Sequence, residues 1–373
     1  MTGPKDWLVL LNAPGIGTAR ANDLLTRFEN PTAVLDAPRE ALRTAGLADA
    51  SIDALRKPDE RAVDAGLAWL EAPDHRLIAR EDDDYPPQLQ GIAGAPVALF
   101  VAGDPGALWL PQLAIVGSRS ATRGGLGTAR AFARTLAGAG LTITSGMALG
   151  IDGVAHEAAL DAGRPTIAVA AHGLDQVYPT RHAGLAARIR AQGAVVSEYA
   201  PGMGPLRGRF PARNRIIAGL STGVLVIEAS VKSGSLITAR YATEQNREVF
   251  AIPGSIHNPV ARGCHRLIKD GAKLVETAED ILQELGQSIL AQVDDSRKRL
   301  IDTPERDPAD RPDPEYGQLL DRMGFDPVSI DDLVRDTGLT VDVLSSMLLI
   351  LELDGRVESG PGGKYCRIGE DHR

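Results

Sequence analysis

The sequence predicts an α/β protein centred on a doubly wound, mostly parallel sheet, with a small helical domain before it and a winged-helix-like domain after it. Three observations support this prediction: a helical pattern over residues 1–75, apolar strand-like runs alternating with helical stretches over 76–285, and three helical patterns followed by a hairpin pattern over 313–373. Apolar strands that alternate with helices form parallel sheets covered on both faces. We therefore expect a Rossmann-like domain at the centre of the chain.

Length and composition indicate a soluble protein of two or three domains. A chain of 373 residues exceeds one ordinary core, and 43% hydrophobic with 24% charged residues is typical of globular proteins. There is no run of about 18 apolar residues and no signal-peptide pattern, so we expect a cytoplasmic protein without membrane contact. Cys264 and Cys366 lie in different predicted domains and indicate neither a disulfide framework nor a zinc site.

The charge of the chain is unevenly distributed. The net charge of −9 by itself argues against a polyanionic partner, yet residues 111–285 carry 19 Lys and Arg against 13 Asp and Glu. Residues 312–373 carry 6 basic and 13 acidic residues. Because binding responds to the local electrostatic field, the central domain is the candidate for binding a nucleic acid.

The N-terminal segment, residues 1–75, has the pattern of a small domain similar to sterile-alpha-motif or helix-hairpin-helix modules. Helical patterns around Trp7–Leu11 and Ala21–Phe28 are separated by Pro14-Gly15-Ile16-Gly17. These four residues resemble the hairpin of helix-hairpin-helix modules, whose backbone amides bind a DNA phosphate. A tight turn between two packed helices explains the same residues more simply.

The central segment contains eight strand-like runs. Two short runs, Leu77–Ala79 and Val97–Val101, flank a proline-rich turn. Six further runs alternate with helical stretches: Leu113–Val116, Leu141–Thr144, Thr166–Ala170, Ala194–Val196, Val224–Ile227 and Val249–Ile252. Ligands of such sheets bind at the carboxyl ends of the strands, near the topological switch point. Glycine-rich and polar loops follow five of the strands: Gly117–Ser120, Ser145–Asp152, His172–Asp175, Glu198–Gly202 and Glu228–Ser235.

A cluster of basic residues precedes the apolar run Ile216–Leu220, which is typical of a helix entering the core. The cluster comprises four arginines, a phenylalanine and an asparagine: Arg207, Arg209, Phe210, Arg213, Asn214 and Arg215. We expect it at a helix N-terminus, where unpaired N–H groups favour phosphate. The combination suits single-stranded nucleic acid, because guanidinium groups bind phosphates and rings stack on unpaired bases. An ion-paired surface loop is the alternative.

The C-terminal part divides into a linker and a small domain. Residues 286–312 lose periodicity and gain proline and charge, as linkers do, and residues 313–373 have the pattern of a winged helix. The third helix of a winged helix normally enters the DNA groove, but residues 340–354 contain no Lys or Arg. We therefore expect this domain to dock a protein or to be purely structural.

A nucleotide-using enzyme is the competing hypothesis. The loop after the first parallel strand, Gly117–Ser120, lacks the G-x-G-x-x-G pattern, and the second strand ends without an acidic residue, so we expect no dinucleotide cofactor. A nucleotide hydrolase that uses Asp152, His156 and Glu228 remains an alternative. A capping aspartate and a packed histidine explain these residues equally well, and no metal-ligand spacing is present.

Several ordered motifs resemble the DNA-processing protein A family (DprA or Smf). They are Ala114–Arg119, Ser145–Ala148, Gly150–Asp152 with Ala155-His156, Phe210–Ser221, Ser233–Ala239 and Val249–Gly254. The resemblance is dense over about residues 75–285 and looser in the flanking regions. It implies a homodimer without catalytic activity or cofactor, which binds and protects incoming single-stranded DNA and loads the RecA recombinase onto it during natural transformation.

The resemblance also implies a set of DNA-binding residues. Carried over motif by motif, they are Ser118, Arg119, Arg207, Phe210, Arg213, Asn214, Arg215, Lys232, Ser233, Gly234 and Ser235. Position 207 is arginine where relatives often have lysine, which keeps the charge and changes the geometry. Asn214 and Arg215 are also explained as braces of the loop, and Ser233 and Ser235 as caps of a helix near Leu236.

Overall fold

The computed structural model describes residues 3–286 and, beyond them, 319–320, 322–323, 328–337, 339, 341–353, 357–360 and 364–367. The chain forms two compact units, Met1–Leu300 and Ile301–Arg373. The predicted linker, 286–312, lies outside the described residues except for its first residue. Within the described part, no helix is long and apolar enough to cross a membrane.

Six short helices form the beginning of the first unit, as the sequence predicts. They are α1 (Pro4–Asn12), α2 (Thr18–Phe28), α3 (Pro31–Asp36), α4 (Arg39–Thr44), α5 (Asp49–Arg56) and α6 (Glu60–Leu70). Their buried residues, such as Leu8, Leu24 and Ile52, belong to a cluster that also contains Phe100 and Ala200 of the following α/β region. Since the helices share this core with the sheet, the predicted domain boundary near residue 75 stays a prediction.

Nine strands form the central sheet. They are β1 (His75–Ala79), β2 (Ala98–Gly103), β3 (Gln112–Gly117), β4 (Thr142–Ser145), β5 (Thr166–Val169), β6 (Ala194–Ser197), β7 (Gly223–Ile227), β8 (Glu248–Ala251) and β9 (Lys273–Leu274). Their order is β1-β2-β6-β5-β4-β3-β7-β8-β9. Pairs β1–β2 and β2–β6 are antiparallel and the others are parallel. The predicted strands are confirmed; β9 was not predicted, because two residues show no periodicity.

Helices cover both faces of the sheet. After α7 (Pro87–Gln90) they are α8 (Arg123–Gly138), α9 (Ile151–Asp161), α10 (Ala183–Gln192), α11 (Arg209–Leu220), α12 (Ser235–Glu244), α13 (Arg262–Lys269) and α14, which is described over 278–286. Alternate residues of β3 point to opposite faces: Ala114 lies in the core shared with α11 and α12, and Leu113 in the core shared with α8 and α9. The strand order reverses at β3, which places the switch point, and hence the expected ligand site, at the carboxyl ends of β3 and β7.

The second unit has the hairpin and the second and third helices that the sequence predicts for a winged helix; of the first predicted helix only residues 319–320 and 322–323, which are helical, lie among the described residues. It contains β10 (Val328–Ser329), α15 (Ile330–Thr337), α16 (Val341–Leu353), β11 (Val357–Gly360) and β12 (Lys364–Arg367). The three strands pair antiparallel in the order β10-β12-β11. Leu333, Leu344, Leu348 and Val357 are completely or almost completely buried in its core.

Candidate functional site

The loop after β3 carries Ser118 and Arg119 at the switch point. The Ser118 backbone N–H donates to the Glu228 carbonyl at 2.8 Å, which ties this loop to the end of β7. The Glu228 carboxylate accepts from the Thr122 N–H at 2.8 Å and from the Thr122 hydroxyl at 2.5 Å, at the N-terminus of α8. The loop backbone is thus held from two sides, while the Arg119 side chain is exposed.

Three rings and one guanidinium group lie together beside this loop. The Cζ atom of Arg119 is 5.7 Å from the centroid of the Phe210 ring. The Tyr178 ring centroid lies 5.5 Å from that of Phe210 and 6.4 Å from that of His172. Tyr178 is 46% exposed and Phe210 is half-buried. We call Arg119, His172, Tyr178 and Phe210 the aromatic patch.

Tyr178 is a member of this patch that the sequence analysis missed. The rim loop after β5 was recognised only as far as Asp175, although the tyrosine follows three residues later. A large exposed ring in a rim loop was the signal that could have found it. His172 is buried, its Nδ1 atom lies 2.9 Å from the Gly173 carbonyl oxygen, and burial lowers its pKa.

Arg213 does not reach the surface where the sequence analysis placed it. It is only 5% exposed, and its Nη1 atom donates to the Gly146 carbonyl at 3.1 Å and to the Val169 carbonyl. Burial lowers its pKa to about 10, so the guanidinium group stays charged at neutral pH. A Cβ atom on Gly146 would lie 2.7 Å from Arg213 Nη2, which explains the glycine. Arg213 therefore fastens α11 to the ends of β4 and β5.

Arg215 is likewise turned inward, and the bracing interpretation describes it better. Its Nη1 and Nη2 atoms donate to the two carboxylate oxygens of Glu198 at 2.7 and 2.6 Å, and its Nε atom donates to the Gly94 carbonyl at 2.8 Å. Both members of this bidentate pair are 8% exposed. The Thr18 hydroxyl donates to Glu198 at 2.5 Å, so the pair also connects α2 to the sheet.

Asn214 connects α11 to the loop that carries Lys232, Ser233 and Gly234. Its Nδ2 atom donates to the Gly234 carbonyl at 3.3 Å. The hydroxyl groups of Ser233 and Ser235 lie 2.7 Å apart, and Ser233 Oγ accepts from the Ser235 N–H at 3.4 Å. The N-cap residue of α12 is Gly234 and no side chain of the described residues caps this helix, so the capping alternative for Ser233 and Ser235 is wrong; the Lys232 side chain is exposed.

The two arginines before Phe210 differ in their surroundings. Arg207 is exposed. The Cζ atom of Arg209 lies 4.6 Å from the centroid of the Tyr199 ring, and its Nη1 atom donates to the Gly204 carbonyl at 2.7 Å. The predicted site thus separates into an outer set, Arg119, Arg207, Phe210 and Lys232, and an inner set, Arg213 and Arg215.

The residues of the hydrolase hypothesis have separate partners. Asp152 accepts from the N–H groups of Gly146 and Ala148 at 3.2 and 3.4 Å, and burial raises its pKa. His156 Nδ1 lies 2.7 Å from the Thr166 hydroxyl, and burial lowers its pKa to about 3. Glu228 binds Thr122, as described above. Among the described residues, no group of three or more His, Cys, Asp or Glu is arranged to hold a metal ion.

Comparisons with known proteins agree with this architecture. Residues 76–286 match the family described as DNA recombination-mediator protein A, and residues 303–363 match the DprA winged helix domain. The protein Smf of Escherichia coli (strain K12) is 47% identical over 309 residues, which cover 83% of this chain and 81% of that protein.

Two solved structures extend the comparison. The DNA processing protein A of Streptococcus pneumoniae has a TM-score of 0.67 and 37% identity, over 76% of this chain and 98% of that chain. A structure of the Helicobacter pylori DNA processing protein A, described for its single-stranded DNA binding mode, has a TM-score of 0.52 and 30% identity, over 57% of this chain and 96% of that chain.

Proposed function

The chain belongs to the DNA recombination-mediator protein A family, and from this premise we propose that it binds single-stranded DNA at the aromatic patch. One observation carries the proposal: the exposed Tyr178 ring and the Arg119 guanidinium group both lie against Phe210. Adjacent rings and cations suit a single strand, because the rings stack on its unpaired bases and the cations bind its phosphates. The related Helicobacter pylori protein, described as binding single-stranded DNA, supports it.

In this proposal the aromatic, cationic and polar side chains each bind a different part of the strand. Phe210 and Tyr178 stack on bases, each contact contributing about 1–3 kcal/mol. The cations of Arg119, Arg207 and Lys232 bind phosphates and release counterions, which makes binding dependent on salt. Polar groups beside them supply further hydrogen bonds to the strand: Ser118, Asn214, Ser233 and Gly234; the buried Ser235 orients Ser233 through the contact between their hydroxyl groups.

Arg213 and Arg215 act as positioning residues in this proposal. Their guanidinium groups are enclosed and already bonded to Gly146, Val169, Glu198 and Gly94, so they orient α11 and with it Phe210. A group that exchanges a buried carbonyl or carboxylate partner for a phosphate gains little net energy.

The finer biological role rests on family membership. The protein protects incoming single-stranded DNA and loads the RecA recombinase onto it during natural transformation; the description of the family as a recombination mediator supports this. It acts as a homodimer in the cytoplasm, where bacterial DNA and recombinase are located. It performs no chemistry of its own, and the separate partners of Asp152, His156 and Glu228 speak against the hydrolase alternative.

The direct test measures binding of the full chain to fluorescent oligothymidylate and to a duplex of equal length, by anisotropy. We expect tighter binding to the single strand, because duplex bases are already stacked and cannot contact Phe210 or Tyr178. Tyr178→Ala should weaken binding to the single strand, and Arg134→Ala serves as the control. Arg134 is exposed and lies about 16 Å along α8 from Arg123, the first residue of this helix, by the helical rise per residue.

Two results would overturn the proposal. Equal or tighter binding to the duplex would show that the rings do not bind DNA by stacking on unpaired bases. Turnover of a nucleoside triphosphate by the same preparation, without DNA binding, would instead favour the hydrolase alternative.

A further inference from the structure

A cleft of about 370 Å³ lies between the hairpin after α1 and the α/β region. Its lining includes Asn12, Gly17, Tyr199, Met203 and Arg209. Arg209 is the residue before Phe210, so the first turn of α11 contributes one side chain to this cleft and the next one to the aromatic patch. The two sites therefore share the first turn of α11.

The hairpin side of the cleft is the open N-terminus of α2. Gly17 is the N-cap residue, no side chain of the described residues caps the helix, and the first turn contains no acidic residue. The unpaired N–H groups and the positive end of the helix dipole favour an anion there. A cleft wall with these properties suits a phosphate group.

Neither backbone conformation nor a close contact requires glycine at position 17, in contrast to position 15. Gly15 has φ +79°, and a Cβ there would lie 2.9 Å from Ser51 Oγ, so this turn requires glycine. Gly17 has φ −89° and ψ 178°, which any residue adopts, and a Cβ there would meet no atom of the described residues within 4 Å. The missing side chain at Gly17 leaves the backbone amides accessible from the cleft.

The opposite side supplies a cation and a flat, partly apolar wall. The Arg209 guanidinium group is held over the Tyr199 ring at 4.6 Å, and burial raises the pKa of Tyr199, so its hydroxyl stays neutral. Asn12 also lines the cleft, and its buried Nδ2 atom has no acceptor among the described residues. Glu198 also lines the cleft and accepts from the hydroxyl of Thr18, the first residue of α2, but its charge is compensated by the paired Arg215.

We propose that this cleft is a second site for the same single strand, which binds one nucleotide unit beyond the aromatic patch. The phosphate lies at the α2 N-terminus and is reached by Arg209, and the base or sugar lies against Tyr199 and Met203. The volume is near the lower end of ligand pockets, about 300–1,000 Å³, and suits one nucleotide. The inference rests on the proposed function, since the strand enters from the aromatic patch.

The test replaces Gly17 by two isosteric residues of different charge in the full chain. Gly17→Asp and Gly17→Asn both provide good N-caps for α2, so neither variant should lose thermal stability. The probes are an oligothymidylate of about six nucleotides, which the aromatic patch accommodates, and one of about twenty, which also reaches the cleft.

We expect Gly17→Asp to weaken binding of the longer oligonucleotide about five- to tenfold and to reduce its salt slope by about 0.7, the value of one lost phosphate contact. Gly17→Asn should bind the longer strand within about twofold of the parent, because it caps without adding charge. Both variants should bind the shorter strand like the parent.

The outcomes separate this inference from the proposed function. If the parent binds both oligonucleotides and Gly17→Asp, with an unchanged melting temperature, binds the longer one equally well, only the second site is refuted. If Gly17→Asp weakens binding of the shorter oligonucleotide to the same degree, the substitution does not act at a separate site, and the inference also fails. If the parent binds neither strand, the proposed function is refuted and this inference with it.

Discussion

The Arg119 guanidinium group lies over the Phe210 ring, with 5.7 Å between Cζ and the ring centroid, although the two residues come from β3–α8 and from α11. A cation–π contact of this kind contributes about 0.5–1 kcal/mol at an exposed site. It orders a long side chain before any ligand is present, which lowers the entropy lost on binding.

Substitution of the two residues should separate phosphate binding from base stacking. Arg119→Ala should weaken binding to every single-stranded sequence and reduce the salt slope by about 0.7, because one phosphate contact is lost. Phe210→Ala should reduce the free energy of binding by roughly 1–3 kcal/mol and leave the salt slope nearly unchanged, since stacking releases no counterions. Anisotropy titrations at several salt concentrations measure both quantities.

Melting curves of the same variants provide the control, because a half-buried residue such as Phe210 can also affect folding. If both variants melt like the parent and bind like it, the DNA-binding site lies elsewhere.

The Arg215–Glu198 pair should matter for stability rather than for direct DNA contact. Arg215→Met leaves the Glu198 carboxylate buried without its partner, which should lower the free energy of unfolding by about 3–5 kcal/mol. The double variant Arg215→Met with Glu198→Leu should recover most of this loss, because no charge remains buried. Urea unfolding followed by tryptophan fluorescence reports on the first unit, which contains Trp7, Trp69 and Trp109. A double variant no more stable than the single one would contradict the bracing role.

Buried His156 should make the protein less stable in mild acid. Its folded pKa, about 3, lies below the unfolded value near 6.5, so the unfolded chain binds the extra proton first. The contribution of neutral His156 to the free energy of unfolding is complete above about pH 6.5. It is lost as pH falls from about 6.5 to 3, by up to about 1.4 kcal/mol per pH unit.

The measurement for His156 is the pH dependence of unfolding in the parent and in His156→Gln. The variant should show a shallower dependence, whereas His172, whose pKa is also lowered, contributes equally to both proteins. Parallel curves would show that His156 does not titrate in this way.

Removal of the acidic C-terminal unit should leave single-strand affinity within a few-fold of the full chain. Residues 312–373 carry 13 acidic against 6 basic residues, so this part repels a polyanion. The comparison is an anisotropy titration of the full chain and of a chain ending after Leu300, the last residue of the first unit. A much larger loss of affinity would assign DNA binding to the winged helix domain.

The sequence by itself determined the architecture and the location of the candidate site. Runs such as Leu113–Val116 and Val224–Ile227 are apolar at every position and alternate with helical stretches, as strands buried on both faces do, and each became a central strand. Because parallel strands end on one rim, the loops after β3 and β7 had to meet there. Local patterns were sufficient for these conclusions, since burial and periodicity are properties of single segments.

Only the tertiary structure decided which charged residues face a ligand. The sequence analysis assigned Arg213 and Arg215 to the DNA-binding set together with Arg207, yet the buried acceptors of the first two come from Gly146, Val169 and Glu198, on other elements. Tyr178 joins Phe210 for the same reason, across two separate loops. Whether a guanidinium group binds a phosphate or an internal oxygen depends on which partners desolvate it. Those partners are brought together by packing between segments, a property that no single stretch of sequence contains.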